Sequence, residues 1–341
     1  MTYLVTGGCG FIGSNITGRL LRDGTDVVVF DNMSRNGSSE NLAWLRKSGL
    51  APEKFIHGDI RNQGDVDALI EAVKPEAVFH LSGQVAMTTS MRVPRRDFEI
   101  NVLGSINLLE SVRRHSPVAA IVYSSSNKVY GDLGGVAFRE MEKRYVAVDF
   151  PHGISETAPL DFHTPYGCSK GAADQYMLDY ARTYGLKTVV FRHSTVYGGR
   201  QYATYDQGWV GWFCQQALAQ KADPSIAPFT ISGDGKQVRD LLFADDAVEG
   251  YLAAVSQLER VKGEAFNIGG GMENSSSLLE LFDTLEEIFQ IRLAYRPIEW
   301  RAGDQKLFVA DIAKASRLLN WKPRVGKEAG IRAMCSWVGS L

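Results

Sequence analysis

Short runs of apolar and β-branched residues alternate, through the first half of the chain, with longer stretches in which apolar positions recur every three or four residues. The runs are TYLVTG, DVVVFD, KFIHGD, EAVFHLS, AAIVYSSS and TVVFRHS; the first ends on glycine and the others on a polar residue. Apolar runs this short, bounded by polar and turn residues, read as buried strands. The helical period is found over 11–22, 64–73, 97–114 and 166–184. Strands alternating with helices predict an α/β fold, a doubly wound parallel sheet covered on both faces. Beyond Ser194 the pattern is less regular and richer in Trp, Gln, Gly and Pro, although DLLFADDAVEGYLAAV and EAFNIGG read as elements that return to the core. The expected organisation is one domain over 1–194 with returning segments 241–269, and a smaller interleaved C-terminal lobe over 195–240 and 270–341. The stretch from Asp132 to Thr164 shows no sustained period and is long for a loop, a length more often functional or mobile than idle.

Ligands of open α/β sheets bind beyond the carboxyl ends of the strands. The polar residues that close the runs, Asp31, Asp59, Ser82, Ser126 and His193, are therefore expected along one edge. At the first strand end, TGGCGFIG contains both GxGxxG (Gly8, Gly10, Gly13) and GxxGxxG (Gly7, Gly10, Gly13) and opens a helix. Glycines there permit a tight turn and close approach, so that exposed N–H groups at the helix start receive a pyrophosphate. This is the Rossmann dinucleotide signature. Asp31 closes the second strand, eighteen residues after Gly13. A carboxylate there accepts from a ribose 2′-hydroxyl and repels a 2′-phosphate, so the expected cofactor is NAD. In GDIR, Asp59 and Ile60 are expected at the adenine.

Composition adds exclusions. In 341 residues, 37 Lys+Arg against 39 Asp+Glu leave a net charge of −2, so no basic surface for nucleic acid is expected. No apolar run approaches the roughly 20 residues of a membrane span, and strand-like sequence begins at Tyr3 with no room for a leader. Cys9, Cys168, Cys214 and Cys335 lack metal-ligand or disulfide spacing. The expectation is four reduced thiols, no metal and a cytoplasmic location.

In TPYGCSKGAADQYMLDYAR, Pro165 opens a helix that carries Tyr166 and Lys170 four apart on one face. A lysine cation near a phenol lowers its pKa, which makes Tyr166 a proton acceptor, while Lys170 also donates to a nicotinamide ribose. Ser126, at a strand end, is placed to hydrogen-bond the same substrate oxygen. Together they specify removal of a hydroxyl proton while hydride leaves the same carbon for NAD⁺.

TGGCGFIG, Asp31, Ser126, Tyr166 and Lys170 together resemble the extended short-chain dehydrogenase/reductase superfamily, most of whose members act on nucleotide-activated sugars. FRHSTVYGGRQ, GDGKQVRDLLFADD and WRAGDQ are similar to its substrate-lobe motifs. The resemblance implies a cofactor set of Gly7, Gly10, Phe11, Ile12, Gly13, Asp31, Asn32, Asp59, Ile60, Leu81, Gln84, Tyr166, Lys170 and His193. It implies a substrate set of Asn127, Thr195, Arg200, Gln201, Arg239, Arg301 and Asp304, with Arg239 and Arg301 on the diphosphate of a nucleotide-diphosphate sugar. Self-association as a homodimer or homotetramer through 97–114 and 166–184 is likewise usual there.

Dehydratases of the superfamily carry an Asp-Glu pair after the strand-end hydroxyl, whereas this chain has Asn127 and Lys128. Neither acts as a carboxylic acid or carboxylate base, which leaves oxidation followed by return of the hydride. SGQVAMTTS, SSSNKVYGD and FRHSTVYGGRQYATYDQGWVGWF further resemble the CDP-tyvelose (CDP-paratose) 2-epimerases, whose implied reaction inverts C2 of a CDP-hexose through a 2-keto sugar. A UDP-hexose 4-epimerase, a net dehydrogenase and a non-catalytic NAD sensor are the alternatives. Trp209, Trp212 and Phe213 fit either a ligand-lining or a core-facing helix.

Overall fold

The computed structural model describes residues 2–301 and 303–341. Five strands come first in the chain: β1 (Thr2–Thr6), β2 (Asp26–Asp31), β3 (Phe55–His57), β4 (Ala77–His80) and β5 (Ala120–Ser126). With Lys187–His193 and Glu264–Ile268 they form a seven-stranded sheet. Its order is β3, β2, β1, β4, β5, Lys187–His193, Glu264–Ile268, and every pairing is parallel. The chain leaves β1 in one direction for β2 and β3, then returns to its other side for β4 and β5, so the strand ends at β1 and β4 border a crevice.

Burial on both faces explains why the runs are almost wholly apolar. One core contains Val5, Val29, Phe79, Phe191 and Tyr251, beneath helices Phe11–Arg22 and Ala244–Ser256. The opposite core contains Leu4, Val28, Ile121, Leu108 and Met177, beneath helices Gln63–Val73, Gly104–His115 and Thr164–Tyr184. The period over 97–114 is not one regular helix: Pro94–Phe98 and Gly104–His115 are joined by a π-turn at Glu99–Leu103. The wider turn lets Asn101 reach Gln84 and Ser169.

A third core joins helices Trp209–Ala222, Leu278–Phe289 and Lys327–Val338. Strand Val238–Phe243 organises the adjoining small sheet, pairing with Thr195–Tyr197, Ser275–Ser277 and Leu307–Phe308. Leu241, Leu242 and Phe243, expected among the returning segments, continue this strand because they pair with Thr195–Tyr197. The long Asp132–Thr164 loop folds in part as a hairpin, Phe138–Glu140 with Tyr145–Ala147, that packs against Val238 and Leu307. All four cysteines are unbridged, with Cys214 and Cys335 sulfurs 3.2 Å apart. No helix among the described residues is long and apolar enough to cross a membrane.

Helix Thr164–Tyr184 is fixed to the sheet by a buried ion pair. Arg192 donates from Nε and Nη2 to Asp174 at 2.9 Å each, and Ser125 Oγ donates to the same carboxylate at 2.8 Å. Arg192 also donates to the Tyr130 hydroxyl at 3.0 Å, which in turn donates to Asn267 at 2.8 Å. Asp174 is fully buried and Arg192 is 4% exposed. Removing one member strands the other in low dielectric, so Asp174→Ala is expected to lower the unfolding free energy by about 3–5 kcal/mol. Urea denaturation followed by far-UV circular dichroism measures it.

Candidate active site

The first strand turns into its helix through Gly7, whose φ is +70°. A Cβ at Gly7 would lie 2.7 Å from the Ser82 nitrogen, and one at Gly13 would lie 2.2 Å from the Gly7 carbonyl oxygen. Only hydrogen fits at either place. The resulting cradle forms one wall of a cavity of about 360 Å³ lined by Gly7, Gly10, Phe11, Ile12, Gly13, Asp31, Asn32, Asp59, Ile60, Leu81 and Gln84. Asp31 sits at its floor, accepting from the backbone N–H groups of Cys9 at 2.9 Å and Met33 at 2.8 Å. Burial pushes the Asp31 carboxyl up, and those two N–H groups offset only part of the rise. Asn32 Nδ2 donates to Asp59 at 3.0 Å, and Arg61 holds the Asp59 carboxyl well below the usual carboxylate range.

Glycine clearance, a carboxylate at the second strand end and a helix start facing the cavity fit a dinucleotide. Gln84 lines this cavity, but its amide is engaged by Ala86 at 2.8 and 2.6 Å and by Asp97 at 2.6 Å. Arg200 and Gln201, expected at the substrate, line the dinucleotide cavity instead. Arg200 has a φ of +69° and stacks 4.8 Å above Trp44, while Gln201 Nε2 donates to the Val196 carbonyl. His193 lines neither of the two cavities described; it stacks on Tyr251 and shares a 2.8 Å hydrogen bond with its hydroxyl. Burial and Lys170 lower its pKa to about 3, so the ring is neutral.

A second cavity, of about 310 Å³, abuts the first along Val85 and Gln207. Ser126, Asn127, Tyr166, Thr195, Arg239, Arg301 and Asp304 line it, as do Lys128, Trp209, Trp212 and Phe213. Phe213 also enters the lobe core against Phe229 and Phe282, so this helix serves both readings. Ser126 and Tyr166, the two expected reactive hydroxyls, line the same cavity, and Ser126 pulls the Tyr166 pKa down. Asn127 is buried, accepting from Ser126 Oγ at 3.3 Å and donating to Gln305 Oε1 at 3.0 Å. Arg239 donates to the Val238 carbonyl at 2.7 Å; Arg301 donates to Ser232 Oγ at 3.0 Å and stacks on Tyr205. Thr195 accepts from the Trp209 indole at 3.2 Å.

The expected lowering of the Tyr166 pKa by Lys170 is corrected by the geometry. Burial pushes the phenol up to about 12; the Ser126 hydrogen bond and Arg35 pull it down, and Asp97 adds to the rise. Lys170 Nζ instead donates to the Ser124 carbonyl at 2.7 Å and lies over the Tyr123 ring, and burial lowers its own pKa to about 8. Sequence reading also missed Asp97, which hydrogen-bonds Ser169 and Gln84 beneath the site, and the cavity-lining Arg96. Asp97 and Asn101 carried no motif; only the break in the helix that contains them marks their place.

Sheet order, glycine cradle and the adjoining Ser-Tyr-Lys group define a dinucleotide-dependent enzyme of the short-chain dehydrogenase/reductase type. The NAD dependent epimerase/dehydratase family matches residues 3–269, and the chain belongs to that family. Over 341 residues it is 54% identical to the CDP-paratose 2-epimerase of Salmonella typhi, covering 100% of both chains. Among solved structures it is similar to the UDP-glucose 4-epimerase of Thermotoga maritima with UDP-glucose, with a TM-score of 0.85 and 31% identity over 100% of this chain and 99% of that one. The Thermus thermophilus UDP-glucose 4-epimerase in complex with NAD gives 0.82 and 29% over 99% of each chain. The chain is thus an NAD-dependent enzyme. Gly13→Ala is expected to keep the fold but lose most bound NAD, measured by nucleotide release on denaturation and chromatography.

Proposed function

We propose that the protein inverts C2 of a CDP-linked hexose, of the CDP-paratose/CDP-tyvelose or CDP-glucose type, by transient oxidation to a 2-keto sugar and return of the hydride. The observation that carries this reading is the 54% identity, over both full chains, to a CDP-paratose 2-epimerase. The Gly7–Gly13 cradle, Asp31, Asn32, Asp59 and Ile60 would hold NAD, which supplies a hydride acceptor and, when oxidised, a positive charge beside the reacting centre. That added charge favours the phenolate form of Tyr166, which burial alone opposes.

Tyr166 takes the proton of the C2 hydroxyl and later returns it, and Ser126 holds the same oxygen. Lys170, 3% exposed, supports the cofactor ribose and the Tyr166 side of the site with its charge. The two residues after Ser126 offer no carboxylic acid: Asn127 has both polar atoms committed, and Lys128 is a cation. Expulsion of water therefore lacks its acid and base beside the reacting hydroxyls. Arg239 and Arg301 take the diphosphate, while Val85, Met87, Trp209 and Trp212 surround the sugar with few directional donors. Anchoring at one end and weak directionality at the other suit a ketone that turns its opposite face to a fixed hydride donor.

The resemblance to UDP-glucose 4-epimerases makes C4 inversion the second reading. Incubation with CDP- and UDP-hexoses followed by product NMR separates them: inversion at C2 is expected, and inversion at C4 alone overturns the proposal. Tyr166→Phe is expected to lower kcat by about 10²–10⁴-fold with bound NAD unchanged, measured by the same NMR assay. Exposed Phe98 (56%), Leu103 (40%), Tyr176 (45%) and Tyr184 (53%), on neighbouring helices, favour a homodimer, and the unbridged thiols favour the cytoplasm. Light scattering is expected to give twice the mass of the chain.

A further inference from the structure

Three cations, Lys128, Arg239 and Arg301, line the sugar-side cavity. Among the described residues each is held by neutral groups rather than by an ion pair: Arg239 by a carbonyl, Arg301 by a serine hydroxyl and a tyrosine, and Lys128 Nζ by the Gly303 carbonyl at 2.9 Å. Asp304 and Asp132 act on Lys128 only at longer range, and Arg239 opposes its charge. A part-buried cation satisfied by one carbonyl and set against a like charge is costly, and an arriving anion offsets that cost.

The three cations do not come from one side. Arg239 and Arg301 extend from the C-terminal lobe, whereas Lys128 follows β5 and donates its backbone N–H to Ser126 Oγ at 3.2 Å. Lys128 thus joins the reacting end of the cavity to its cationic end. An ammonium has three rotatable donors, and Gly303 occupies one of them. We propose that Lys128 is a substrate-binding residue whose ammonium takes the sugar-proximal phosphate of the nucleotide-diphosphate sugar, between the reacting hydroxyls and the two arginines. The inference rests on the sugar-side cavity being the substrate site.

Protonation gives it a signature. Burial and Arg239 lower Lys128 to about 7, against Asp304 and Asp132, whereas burial pushes the Tyr166 phenol in the same cavity the other way. A phosphate beside the ammonium raises its pKa, so binding takes up a proton. Affinity is then constant below the pKa of the free protein and falls as pH rises above it.

The test is calorimetric titration of the full-length, NAD-loaded protein with CDP-glucose and UDP-glucose between about pH 6 and 9. Lys128→Met is expected to weaken binding on the order of 10- to 100-fold, with bound NAD and melting temperature unchanged. Lys128→Arg is expected to retain binding and abolish its decline above neutral pH, because a guanidinium does not titrate there. If Lys128→Met binds like the wild type while Arg239→Ala does not, the proposal for Lys128 fails and the substrate cavity stands. If the wild type binds neither sugar nucleotide, the reading of the cavity falls and takes this inference with it. Should Lys128→Met not fold, the pH profile of Lys128→Arg decides, and a decline equal to the wild type's overturns the proposal.

Discussion

The Arg192–Asp174 pair is the constraint on which the geometry of the site depends. Asp174 lies on the helix that carries Tyr166 and Lys170, Arg192 on the strand beside β5, and Ser125 on β5 next to Ser126. The carboxylate therefore receives hydrogen bonds from both strands. An isolated buried charge would be prohibitive, and this one tolerates burial because both oxygens are occupied. Helix and strand end are consequently held in a single relative position, which places Tyr166 and Ser126 on the lining of one cavity.

Around that fixed junction the charge is distributed unevenly. The dinucleotide side is built on close backbone approach and a carboxylate whose oxygens are already directed by Cys9 and Met33. The sugar side contains cations with neutral partners, and its aromatic lining offers shape rather than many directional bonds. One cavity thus offers backbone clearance and directed acceptors. The other offers cations whose direct hydrogen-bond partners are neutral, with the Asp304 carboxylate on the same wall.

Short, buried strands were legible because a parallel sheet covered on both faces demands nearly continuous apolar runs, and helix 11–22 was legible to the residue. The glycine cradle and Asp31 were equally plain, since few residues satisfy those steric demands. Arg200 was misplaced by reading its motif as part of one lobe: the chain at Gly198–Arg200 crosses back over the first helix, and Asn15 and Asn41 bind its carbonyls. The π-turn at Glu99–Leu103 was invisible because its period differs from that of a helix by only one residue over a short span. The lysine effect on Tyr166 failed for a related reason. Spacing puts the two side chains on one face, but the Ser124 carbonyl captures the ammonium.

By itself the sequence determined what chemistry was present: a dinucleotide turn, a strand-end hydroxyl, a Tyr and a Lys one helical turn apart, and no acid following Ser126. Those are properties of local geometry and side-chain type, which neighbours in the chain specify. Tertiary structure alone decided which residues face one another across the crevice. It brought Asn127 to Gln305 and Lys128 to Gly303, over separations of 178 and 175 residues, and gave Arg200 to the dinucleotide side. It also decided the electrostatics, because pKa values follow from burial and from charges that only folding brings near.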